Sequence, residues 1–160
     1  MKLNLLIVIV FSTFLSACSK EPTETTSERI DRIAAEFVDA YYAHYPEEAF
    51  ESGYPDAPSD RFGDHSAESR AAWDQKVDRW LRQLDSIDPS ALSGTPSAIT
   101  YLFALDRLQA IQKRRVCRTE LWNISPTWTG WQTTVVDTLA GQPVETAAQR
   151  EAALARLADL

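Results

Sequence analysis

Apolar residues that return every three or four positions, in stretches separated by proline and glycine, constrain this chain more than any other feature. The clearest stripe is Trp73, Val77, Trp80, Leu81, Leu84 and Ile87, the pattern of an α-helix that buries one face. Ser66 with Glu68 begins that helix and Asp88-Pro89 ends it. Upstream, Thr25 and Glu28 match a capping box, and Ile30, Ile33, Ala34, Phe37, Tyr41 and Tyr45 carry a first helix as far as Pro46. Pro46 can open one more short turn through Phe50, before residues 52–65 with Gly53, Pro55, Pro58 and Gly63 read as a loop. Thr95 as cap and Pro96 at the first helical position start a further helix. Its face of Ile99, Leu102, Phe103, Leu105, Leu108 and Ile111 is wider than a surface helix needs, so contact from more than one side is expected. These patterns predict an all-α fold, an antiparallel array of about four to five helices.

Gly141 and Pro143 break the pattern, and Thr146 with Gln149 caps a last helix bearing Ala152, Ala153, Leu154, Leu157 and Leu160. The stripe runs to Leu160 with no cap glycine and no polar tail, and its leucines require cover. The expectation is an incomplete N-terminal part of a larger domain.

The first residues are of another kind. Lys2 is followed by an apolar run from Leu3 to Leu15, closed by Leu15-Ser16-Ala17-Cys18, the order of a cleavable export signal. A spanning helix needs about 20 apolar residues, and this run stops well short at Ser19, Lys20 and Glu21. The tetrapeptide ending in Cys18 resembles the lipobox of bacterial lipoproteins. That resemblance implies cleavage before Cys18, a diacylglycerol on its thiol and a membrane as partner; an ordinary signal cut after Ala17 is the alternative. With Ser19 rather than an aspartate after the cysteine, the same likeness implies a lipid-anchored protein of the cell envelope, at the outer membrane and facing the periplasm. The expected organisation is a signal peptide at 1–17, a flexible polar tether at 18–26 and a helical domain at 27–160.

Removal of residues 1–17 leaves 143 residues, one ordinary domain's worth. Lys2 leaves with them, so 15 basic residues face 23 acidic ones, a net charge of −8. Such a surface repels phosphate backbones, and no nucleic-acid partner is expected. Cys117 is then the one cysteine not committed to lipid, and within a helical pattern it reads as a small buried hydrophobe rather than a reactive thiol. Lys113, Arg114, Arg115 and Arg118 gather near a helix C-terminus, where cations complement the macrodipole.

Catalytic zinc takes three protein ligands, yet His44 and His65 are the only histidines, and no His-Glu-x-x-His pair exists. His44 reads as a polar flank of the first helix and His65 as a loop residue beside the cap at Ser66. Asp56, Asp60 and Asp64 do not follow the ligand order of an EF-hand and read as solvated loop acids. Glu47 and Glu48 are neighbours whose side chains diverge, so they cannot flank one bond as an acid/base pair. Nucleophile-elbow, Walker and Rossmann patterns are absent. No catalytic residue, metal site or cofactor is expected in this chain.

Between Leu121 and Gly141 lie Trp122, Trp128 and Trp131, three of the five tryptophans. They are either core-fillers, the commoner use of so large a side chain, or the lining of an aromatic groove.

Several segments, taken in order, carry a resemblance: Ala35-Glu36-Phe37 through Tyr45-Pro46-Glu47-Glu48-Ala49, then Gly63-Asp64-His65, then Leu84 to Leu92, then Leu121-Trp122-Asn123 with Gly130-Trp131-Gln132. They resemble the bacterial family known as domain of unknown function 885, many of whose members are lipoproteins with zinc-peptidase-like C-terminal halves. The resemblance implies the N-terminal helices of an all-helical clamshell peptidase, which wall its substrate channel. Zinc and a peptide substrate are implied only for full-length members, whose metal-binding motif follows the region matched here. No catalytic residue carries over, and Trp122, Asn123, Gly130 and Gln132 carry over as a segment near the substrate cleft. The expected role is therefore a channel part inactive by itself. The alternative is a free-standing helical binding lipoprotein that uses the tryptophan-rich segment as its surface.

Overall fold

The computed structural model describes residues 24–55, 57–121 and 130–160, which form six α-helices and short 3-10 turns, without strands among the described residues. Helix α1 (Thr26–His44) begins in the expected capping box: the Glu28 amide donates to Thr25 Oγ1 at 3.2 Å and the Thr25 amide to Glu28 Oε2 at 2.8 Å. Tyr45 leaves helical geometry because the residue before a proline disfavours it, and Pro46 then opens α2 (Pro46–Glu51). Helix α3 (Ala67–Asp85) is capped by Ser66, whose hydroxyl accepts the Ser69 amide at 3.1 Å. Asp88 caps a 3-10 turn at Pro89–Leu92. Helix α4 (Ser97–Arg114) begins one residue later than expected, because the Thr95 hydroxyl donates to the Leu92 carbonyl at 2.8 Å instead of capping the helix. After two 3-10 turns at Arg115–Cys117 and Thr119–Leu121 come α5 (Trp131–Gly141) and α6 (Ala147–Ala158), the latter in a Thr146/Gln149 capping box.

Two layers result. In the first, α1, α3 and α4 enclose an apolar core of Ile30, Ile33, Trp73, Val77, Leu84 and Leu108 with their neighbours. Phe37 stands edge-on to Trp80 at 5.9 Å, and the His44 ring lies flat on Trp73 at 4.7 Å with 9° between planes. Each such large apolar side chain contributes about 1.5–3 kcal/mol on burial. Arg115 ties the end of α4 to α3 through Asp74 at 2.8 Å and Asp78 at 2.9 Å, so this residue bridges two helices rather than simply complementing a dipole.

The second layer, α2, α5, α6 and the loop before α3, has a polar centre: Glu47, Thr138, Gln142 and Arg156 are all buried in it. Among the described residues no helix is long and apolar enough to cross a membrane.

Two expectations are corrected. Helix α4 is not contacted on a broad face: Tyr101, Ala104, Leu108 and Ile111 are buried, while Ile99 is 75 % and Phe103 63 % exposed. One face of α4 suffices to close the three-helix core, and the other apolar row is left outward. Cys117 is exposed, because α4 tightens into a 3-10 turn after Arg114 and the helical phase that would have turned it inward is lost. On α6 the outcome is the expected one: Leu154, Leu157 and, just past the helix, Leu160 are exposed, a stripe left without cover among the described residues, and Arg156 is the residue that docks.

Candidate functional site

The short helix α2 projects Glu47 inward, where the residue is 4 % exposed. There Glu47 Oε2 accepts the Gly63 amide at 3.1 Å, and Oε1 lies 3.6 Å from Nε2 of His65. Glu48 points away and takes the Tyr41 hydroxyl, so the two adjacent glutamates do diverge. Only glycine fits at position 63: a Cβ there would stand 2.8 Å from the His44 carbonyl oxygen and 3.4 Å from both Glu47 oxygens. Asp64 accepts the Ser66 amide at 2.8 Å, so the backbone on either side of His65 is held.

The His65 ring meets Trp131 edge-on at 4.6 Å, and Phe62 meets the same indole at 5.7 Å. Together with Arg61, Gly63 and Asp159 these residues line an open cleft of about 500 Å³. Its chemistry combines an aromatic wall, an imidazole backed by a buried carboxylate, and carboxylates of Asp64 and Asp159. Such a surface can hold and orient a ligand with an apolar or cationic group.

Electrostatics fit this arrangement. Burial pushes the Glu47 carboxyl up, but His65 and the Gly63 amide outweigh it and hold the carboxyl below its ordinary 4.5. Burial pushes the His44 imidazole below 6.5, with repulsion from His65 and Lys76 in the same direction. Burial also lowers the pKa of the Arg156 guanidinium, with Asp60 and Glu47 in partial opposition.

Of the residues carried over from the family likeness, Trp122 and Asn123 lie outside the described residues. Gly130 is buried as the residue before α5, and Gln132 is exposed in its first turn. They flank Trp131, whose side chain is the one that lines the cleft. Glu47 and His65, read from sequence as a diverging neighbour and a loop residue, are brought together through space. The signal available was the pair of segments Pro46-Glu47 and Gly63-Asp64-His65, two of the family marks.

Zinc does not fit these residues. Glu47 already accepts a backbone amide, and among the described residues no three His, Cys, Asp or Glu side chains converge as a ligand set.

The family described as bacterial protein of unknown function (DUF885) matches residues 46–160. The chain belongs to that family. No curated protein and no solved structure matches it. The DUF885 match takes in Glu47, Gly63, His65, Trp131 and Arg156, and it begins after α1, so the marks at Ala35 to Tyr45 lie before the matched region.

Proposed function

We propose that this DUF885 chain is an exported, lipid-anchored protein of the bacterial envelope whose helices wall a peptide-binding channel, without a catalytic centre of its own. The observation that carries the binding role is the cleft in which His65, backed by Glu47, stands edge-on to Trp131 beside Asp64 and Asp159. An extended peptide offers what that lining accepts, with apolar side chains for the indole and amine or guanidinium groups for the carboxylates. In this reading the chemistry of a zinc-peptidase-like assembly lies elsewhere, since the sequence has no His-Glu-x-x-His pair. The run from Lys2 to Cys18 supports export and anchoring, and a doubly acylated cysteine would not leave the bilayer.

Two experiments test the two parts. Labelled palmitate is expected on the wild-type chain and absent from Cys18→Ala, with precursor accumulating under globomycin; no label on the wild type overturns the anchor. Titration with a tryptic digest of casein is expected to give a saturable tryptophan fluorescence change that Trp131→Phe and His65→Ala remove. An unchanged signal in both variants, or none in the wild type, overturns the binding role.

A further inference from the structure

Arg156 is 0 % exposed, yet among the described residues no carboxylate pairs with it. Its guanidinium is satisfied instead by neutral acceptors: Nε donates to the Arg61 carbonyl at 3.1 Å, Nη1 to Gln142 Oε1 at 3.0 Å, and Nη2 to the Pro58 carbonyl. It lies over the rings of Phe50 at 5.1 Å and Phe62 at 5.7 Å. Gln142 is itself buried and donates to the Ser59 carbonyl at 2.7 Å, while Asp159 accepts the Phe62 amide at 2.9 Å. Five contacts from α6 and the end of α5 therefore grip the backbone or ring of residues 58–62. The next residues are Gly63, Asp64 and His65, which meet Glu47 and Trp131.

A desolvated cation needs a full set of acceptors to persist. Here that need is met by loop carbonyls that lack partners in any helix or sheet, so the charge and the loop stabilise each other. We propose that Arg156 is the positioning residue of the cleft, holding residues 58–62 so that His65 is presented against Glu47 and Trp131. Its planar fork reaches several acceptors at once, which a lysine ammonium cannot do in the same geometry. Because the apolar core of α1, α3 and α4 contains no part of this set, loss of Arg156 releases the cleft without melting that core. The functional consequence rests on the cleft being the peptide wall; the structural claim does not.

The test is amide hydrogen exchange and histidine proton NMR on the full chain in detergent micelles. In Arg156→Met the Gly63 amide, which donates to Glu47, is expected to exchange at least about tenfold faster. The His65 ring protons should lose the shift that the Trp131 indole imposes, while Val77 and Leu84 amides in α3 stay protected. Arg156→Lys should restore little of either signal, and Gln142→Ala, which removes one acceptor and one grip on the loop, should give an intermediate loss. Unchanged Gly63 exchange and His65 shifts in Arg156→Met and Gln142→Ala overturn the proposal, as does simultaneous loss of protection at Val77 and Leu84 in both. Peptide titration separates the two readings: absence of binding by the wild type with Gly63 still responding to Arg156→Met removes the channel role alone. Binding with an indifferent Gly63 removes the positioning role alone.

Discussion

The Gly63 amide donates to the buried carboxylate of Glu47 at 3.1 Å, and the space beside it that a Cβ would need is already closed by the His44 carbonyl at 2.8 Å. Three elements thus meet at one atom's width: the end of α1, the first turn of α2 and the loop that carries His65.

Gly63→Ala is accordingly expected to displace the loop. The obstructing atom is backbone and cannot rotate away, so the cost falls in the range of overpacked sites, about 1–3 kcal/mol. Urea denaturation of the variant against the wild type measures it, and an equal midpoint would refute the close approach.

Acid should weaken the fold in two windows. The His44 pKa is depressed in the folded state, by burial first and then by His65 and Lys76, with Glu47 and Asp64 opposing. The unfolded chain therefore takes up that proton first, so stability present above pH 6.5 is lost as pH falls below it. The Glu47 carboxyl is also depressed, and its contribution is present above pH 4.5 and lost as pH falls through its folded value. His44→Phe keeps the stack on Trp73 and should flatten the upper window only; Glu47→Gln should flatten the lower. Thermal midpoints between pH 7.5 and pH 3.5, an experimental span of about four units chosen to cover both windows, check the assignment.

The parts of the fold that sequence reveals are those in which cause and effect are local. Thr25 with Glu28, Ser66, and Thr146 with Gln149 cap their own helices within one turn, and the α3 stripe from Trp73 to Ile87 is buried as its spacing implies. Spacing fails where two apolar rows share one helix: on α4 nothing in the pattern distinguishes Leu108, which is buried, from Leu102, which is not. On α6 the spacing marks the leucine row that stays uncovered but not Arg156, because the surface on which that cation docks is a loop of backbone carbonyls distant in sequence. Most of the cleft was hidden for the same reason. Glu47, His65 and Trp131 sit on three separate segments, and their meeting depends on Gly63 and on Arg156, whose roles exist only once the chain is folded.

Arg115→Met should loosen the join between α4 and α3. The guanidinium pairs with Asp74 and Asp78 and also donates to the Asp74 carbonyl at 2.9 Å. Its removal leaves two like charges one helical turn apart. Because all three side chains are partly solvated, the expected loss is about 1 kcal/mol, not the several of a buried pair. Repeating the denaturation near 1 M salt, where the Debye length is about 3 Å, should shrink the difference between variant and wild type; a difference that persists would assign the loss to packing by the arginine stem.

Leu154 and Leu84 provide a matched test of the division between apolar pattern and apolar burial. Both belong to helical leucine stripes, but Leu84 is 0 % exposed in the core of α1, α3 and α4 whereas Leu154 is 66 % exposed on α6. Transfer and cavity costs arise only where a side chain has left water, so Leu84→Ala is expected to cost about 2–5 kcal/mol. Leu154→Ser should stay within about 0.5 kcal/mol, as surface substitutions do. Chemical denaturation of the two variants gives the comparison. A loss of several kcal/mol for Leu154→Ser would mean that this face is covered in solution, and the outward placement of the α6 stripe would then be wrong.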